Sequence, residues 1–181
     1  MLTLAGSYHL EKSNNELALQ FAQKAMEYDE INFPALNLGA RAALRSNQLD
    51  KAKEYYLTAY EKFPDNPIPP INLASIALDE NDPESAKPYV EYAKQLNGSL
   101  PLTLYIIARY ANATGDNQSA KTILQDTKSG LDNFGPAIFL AGKVAYDLGE
   151  LEVAAARLRR SLAVNPENNE ARALLNKIEG K

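Results

Sequence analysis

Apolar residues recur along this chain in steps of three and four, as in Leu36, Gly39, Ala40 and Ala43, and then Leu49, Ala52, Tyr56 and Ala59. This is the period of a helix with one packing face, rather than the two-residue alternation of a half-buried strand. The runs are short and come in twos, so the pattern predicts pairs of short helices.

The pattern repeats at a fixed interval of 34 residues. Ala18, Ala52, Ala86, Ala120 and Ala154 recur at that step without an insertion. Gly6, Ala40, Ala74, Ala108 and Gly142 form a second series in the same phase. The third series, Ser13, Asn47, Asn81, Gly115 and Gly149, consists of residues suited to a tight turn. Each period therefore reads as helix, turn, helix. Small residues on both helices let the two backbones approach closely. One such pair cannot cover its own apolar face, so successive pairs must stack.

These residues resemble the tetratricopeptide repeat family, and the resemblance covers nearly the whole chain. The copy at 33–66 carries it best, with Leu36, Gly39-Ala40, Asn47, Ala52, Tyr56, Ala59 and the closing Phe63-Pro64-Asp65-Asn66. The copy at 135–168 closes similarly, with Asn165-Pro166-Glu167-Asn168. The resemblance implies an all-α fold, an α-solenoid winding as a right-handed superhelix of antiparallel helix pairs. A single array over 1–181 is expected, with repeats at about 1–32, 33–66, 67–100, 101–134 and 135–168 and a capping helix at 169–179.

Some segments depart from the pattern. Pro83 suits a first helical turn, but Pro88 is expected to kink the second helix of its pair or delay its start. The fourth copy has Thr127 in place of the usual Ala and ends in Lys128-Ser129-Gly130-Leu131-Asp132-Asn133-Phe134-Gly135-Pro136, without the closing Pro. That junction is the expected place for a bend or a mobile link. Met1 enters the period two residues late, so a short first helix is expected, at a boundary or inside a longer array.

Composition narrows the classes of function. A formal charge of −4 and a pI near 5.1 oppose binding to a polyphosphate backbone or an anionic membrane. Cysteine is absent, which removes thiol nucleophiles and Cys-rich zinc sites. No apolar run is long enough to span a bilayer, and Met1–Ala5 lacks the character of a signal peptide, so a soluble chain of unknown compartment is expected.

Candidate chemistry is sparse. His9, the only histidine, occupies the slot of Ala43, Ala77, Ala111 and Ala145 and reads as a packed or end-exposed side chain. Gly142-Lys143 is followed by Val144, not by the Ser or Thr of a phosphate loop. Asp79-Glu80-Asn81-Asp82 lacks the glycine and closing glutamate of a calcium loop. Asn97-Gly98-Ser99, Asn112-Ala113-Thr114 and Asn117-Gln118-Ser119 fit the glycosylation pattern but carry no weight in an Asn-rich chain. No catalytic, cofactor-binding or metal site is expected, and the chain reads as a non-enzyme.

In the resembled family, the first helices of successive pairs line a groove that takes a peptide or a partner helix. Carried over slot by slot, that groove comprises Asn37, Arg41, Leu44, Arg45, Ile71, Asn72, Ser75, Leu78, Tyr105, Arg109, Asn112, Phe139, Lys143 and Tyr146. Arg41, Arg109 and Lys143 share one slot beside Tyr105 and Phe139, which would suit an acidic segment with apolar anchors. The family's chaperone-tail receptors need basic residues where Leu102 and Ile106 stand, and only Asn72 matches their set. The expected function is a protein-interaction scaffold. The alternatives are an assembly factor for bacterial envelope, secretion or exopolysaccharide export, and a self-associating module.

Overall fold

The computed structural model describes residues 1–125 and 130–180. Among them are eleven α-helices and no strand: α1 (Leu2–Glu11), α2 (Asn15–Tyr28), α3 (Phe33–Arg45), α4 (Leu49–Lys62), α5 (Ile68–Asp79), α6 (Pro83–Asn97), α7 (Pro101–Ala113), α8 (Asn117–Gln125), α9 (Gly135–Asp147), α10 (Leu151–Val164) and α11 (Asn169–Glu179). The chain divides into two compact units, Met1–Ile76 and Ala77–Lys181.

In the first unit α1 packs on α2, α2 on α3 and α3 on α4, with α3 also touching α1. Its core joins Leu10, Ala18, Leu19 and Ala22 to Leu38 and Ala42. In the second unit the same order runs from α6 to α11, each helix packing on the next, while α9 touches both α7 and α11. Ala108, Ala120, Leu124, Leu140 and Val144 belong to the core there. Among the described residues no helix exceeds 15 residues, and helices that short are marginal alone in water, so packing rather than propensity stabilises them.

Small residues set how closely the helices approach. A Cβ added at Gly6 would meet Leu38 Cδ2 at 2.5 Å and Phe21 Cβ at 3.0 Å. At Gly142 it would meet the Leu158 side chain at 3.0 Å. Ala18, Ala52, Ala86, Ala120 and Ala154 are all fully buried.

The turn series does one conformational job. Ser13, Asn47, Asn81, Gly115 and Gly149 all have positive φ, between 57° and 84°. Each closes the first helix of its pair with the same two bonds. The Asn47 N–H donates to the Leu44 carbonyl at 3.1 Å, and the next N–H, of Gln48, donates to Ala43 at 2.8 Å. The corresponding bonds reach His9, Ala77, Ala111 and Ala145, at 2.8–2.9 Å. These are Schellman closures, which satisfy carbonyls that a helix end otherwise leaves without donors.

Side-chain caps mark several helix starts. Asn32, Asp82 and Asn168 accept the N–H of Ala35, Ser85 and Ala171. The cap at Asp82, with Pro83 at a position that needs no N–H, explains why α6 starts on time. It then continues through Pro88 to Asn97, so the expected delay is not observed. The N–H that Pro88 lacks would have met the Glu84 carbonyl, and both residues are exposed, so solvent can reach that carbonyl. Thr127, Lys128 and Ser129 lie outside the described residues. The rest of that junction is anchored: Leu131 is buried, Phe134 packs edge-on against Tyr105, and Arg160 donates to the Asp132 carbonyl at 2.7 Å. No described helix is long and apolar enough to cross a membrane.

Tyr56, the largest fully buried side chain, brings a hydroxyl into the core without a hydrogen-bond partner. Burial pushes its phenol up to about 12 from an ordinary 10.0, against an opposing pull from Arg41.

Both the turn series and the buried phenol can be tested by substitution. Ser13 adopts a conformation that costs an L side chain energy, so Ser13→Gly should raise the unfolding free energy measured in urea by about 0.5–1 kcal/mol. Tyr56 keeps its proton in the fold while the unfolded chain releases it, so its contribution is intact below pH 10 and lost as pH rises towards 12. Tyr56→Phe should be neutral or stabilising at neutral pH, by up to about 1–2 kcal/mol. It should also flatten the alkaline limb of a pH–stability curve from thermal melts.

Candidate functional site

The second unit holds a concavity of about 620 Å³. Three first helices and their neighbours build it: Leu78 and Asp79 end α5, Tyr105, Arg109 and Asn112 lie on α7, and Phe139, Lys143 and Asp147 lie on α9. Glu170, in the first turn of α11, also lines it. Helical spacing explains the grouping, because residues four apart such as Tyr105 and Arg109, or Phe139 and Lys143, share one face.

Of the residues expected from sequence, Leu78, Tyr105, Arg109, Asn112, Phe139 and Lys143 converge here. Asn37 and Arg41 line a concavity of about 350 Å³ in the first unit, with Leu4, Ser7, Phe33 and Pro34 among its neighbours. Leu44 is exposed at the end of α3, and Ser75 and Tyr146 are half-buried. Ile71 is only 6% exposed and belongs to the core, so it offers a partner almost no surface.

Several polar residues of the expected set bond within the fold. Arg45 donates from Nη1 to the Leu10 carbonyl at 2.6 Å, tying the end of α3 to the end of α1. Asn15 returns a bond to the Arg45 carbonyl at 3.1 Å. Asn72 donates to the Ile68 carbonyl of its own helix at 2.8 Å. Asn112 donates to Asn117 Oδ1 at 2.7 Å and to Asp147 Oδ2 at 2.9 Å.

Arg109 is the clearest change from the sequence picture. Its Nη2 meets Asp79 Oδ1 at 2.6 Å, and its guanidinium lies 5.9 Å from the centre of the Tyr105 ring. Burial holds the Tyr105 phenol above its ordinary value; Arg109 opposes this and Asp79 adds to it. Lys143, by contrast, is half-buried with no ion-pair partner among the described residues. Asp79, Asp147 and Glu170 therefore outnumber Arg109 and Lys143 on the lining. Reading the first helices alone missed Glu170, and reading one slot missed Asp79 and Asp147, one turn further along α5 and α9.

His9 is packed: its ring stacks on Phe21 at 5.4 Å and meets Tyr8 edge-on at 5.5 Å. No group of three or more His, Cys, Asp or Glu residues placed to hold a metal occurs among the described residues.

Comparison with known proteins agrees with this architecture. The sequence matches the tetratricopeptide repeat family over residues 37–101 and 139–175, more than half of the chain. The chain belongs to that family. No curated protein matches it in sequence. Among solved structures it is similar to a chain of the APC/C hetero-tetramer Cut9–Hcn1, with a TM-score of 0.88 and 19% identity over 98% of this chain. It spans 35% of the length of that chain. It is also similar to TTC0263, a thermophilic TPR protein of Thermus thermophilus, with a TM-score of 0.80 and 15% identity over 99% of this chain and 98% of that one. YrrB, described as a TPR protein with an unusual peptide-binding site, aligns with a TM-score of 0.60 and 18% identity over 95% of this chain and 89% of that one. The fold is thus the helix-pair solenoid of TPR proteins, which generally serve as non-enzymatic scaffolds for protein–protein interaction.

The hydrogen bonds separate structural from available residues. Arg45→Ala should lower stability in urea by about 1–2 kcal/mol, because it removes the donor to the Leu10 carbonyl. Lys143→Ala should stay within about 0.5 kcal/mol of the parent protein in the same measurement.

Proposed function

We propose that this chain is a protein-interaction scaffold that takes an extended peptide segment of a partner into the concavity of its second unit. The observation that carries this reading is the grouping of Tyr105, Phe139 and Lys143 around one space of about 620 Å³. Aromatic rings beside a cation that no described ion pair engages are the usual material of an interface anchor. Stacked helices hold these side chains in place before a ligand arrives, which lowers the ordering cost of binding.

The charge of the lining refines the partner. An acidic segment with apolar anchors was the expectation from Arg41, Arg109 and Lys143 beside Tyr105 and Phe139, but Arg41 lines a separate concavity in the first unit and Asp79 already offsets Arg109. The reading supported best is a segment with an apolar or aromatic side chain for the space between Tyr105 and Phe139 and a single acceptor for Lys143. A highly acidic segment would meet Asp147 and Glu170.

Phe139 and Lys143 are the cleaner probes, because Tyr105 packs on Phe134 and Arg109 bridges to Asp79. A peptide selected from a display library with the full chain should bind Phe139→Ala/Lys143→Glu about 100-fold more weakly, as expected for losing an anchor and reversing a charge. Fluorescence anisotropy reads this directly. Unchanged affinity in a folded double variant would remove the concavity from consideration.

A further inference from the structure

Asn97-Gly98-Ser99 falls where α6 ends and the link to α7 begins, and it contains the one Asn-Gly pair of the sequence. Asn97 is the last residue of α6; it and Ser99 are exposed, with Gly98 half-buried between them. Ser99 donates to Asn97 Oδ1 twice, from its main-chain N–H at 3.3 Å and from its Oγ at 3.0 Å. Two donors on an amide oxygen draw electron density from Cγ, and they favour the negative charge that this oxygen gains when a nucleophile adds. A nucleophile lies next in the chain. It is the Gly98 nitrogen, and Gly98 has no Cβ to obstruct its approach.

We propose that Asn97 is a site of spontaneous covalent modification, at which the Gly98 nitrogen displaces ammonia from the side-chain amide while Ser99 supports the carbonyl oxygen. The Gly98 N–H gives its proton to hydroxide and the nitrogen bonds to Asn97 Cγ. The Cγ–Nδ2 bond then breaks as Nδ2 takes a proton from water and leaves as ammonia, and a five-membered imide remains. Water opens that ring at either carbonyl. Addition at Cγ gives aspartate, and addition at the main-chain carbonyl gives isoaspartate, in which the chain runs on through Cγ. One water is consumed and one ammonia released, and nothing is oxidised or reduced. Ring closure requires Asn97 to leave the helical backbone conformation, which the terminal residue of a helix does by fraying its last turn. The product bears on the fold in two ways. It puts a carboxylate at the C-terminal end of α6, where the helix dipole opposes an anion. In the isoaspartyl form it also adds a methylene to the main chain beside the short link at 98–100, between two helices that pack on each other.

The test uses the full chain, kept folded at neutral pH in water enriched in heavy oxygen, then digested in ordinary water and mapped by mass spectrometry. Asn97 should convert to labelled aspartate and isoaspartate about 10-fold faster than any other asparagine, because each of the others precedes a side chain or a proline ring. Gly98→Ala should slow the conversion about 10-fold. Ser99→Ala should slow it about 3- to 10-fold, the worth of one hydrogen bond. Asn97→Gln cannot close the five-membered imide, so the acidic form that grows in the parent on native isoelectric focusing should not grow in this variant. A circular dichroism melt like the parent's would show that this exposed exchange leaves the fold intact. An Asn97 that stays unlabelled, or converts no faster than the other asparagines, overturns the proposal, as does an acidic form that grows equally in Asn97→Gln. Equal rates in the parent and Ser99→Ala overturn the part given to Ser99.

Discussion

Close contact between small residues is the constraint on which this architecture depends. Gly6 and Gly142 stand where any side chain would collide with a neighbouring helix, and the alanine series is fully buried. Because helices of this length gain little from their own hydrogen bonds, the contact between helices supplies most of the stabilisation. Repeated small residues make each contact alike, so within a unit each pair presents its outer face at nearly the same height and phase as the last.

The concavity of the second unit is a by-product of that regularity. Side chains in the same slot of α7 and α9, such as Arg109 and Lys143, come to one wall because their helices do. Their chemistry then diverges through their neighbours. Asp79 engages Arg109, while no described ion pair involves Lys143. Identical slots in a repeat protein thus need not perform identical functions.

Much of the fold was legible in the sequence because it follows from local rules. The turn series could be read from Ser13, Asn47, Asn81, Gly115 and Gly149, and the backbone at all five is left-handed. The helix expected at 169–179 was equally plain, and α11 occupies that range. The site was only partly readable, because it depends on side-chain partners far apart in sequence. Arg45 looks like a groove cation until the Leu10 carbonyl, 35 residues away, is seen to accept from it. Ile71 shares a slot with the half-buried Asn37, Tyr105 and Phe139 yet is itself buried. Pro88 shows the reverse case for the start of α6, which the cap at Asp82 fixes ahead of the proline.

The identical closure of every hairpin has an evolutionary corollary. Since each bend falls at the same phase, gain or loss of one whole 34-residue unit rejoins like with like. Loss of a single residue inside a helix would instead rotate everything beyond it by about 100° and turn its oily stripe towards water. Change in such a chain is therefore quantised: its length can grow or shrink in whole modules, while the spacing inside a module stays fixed.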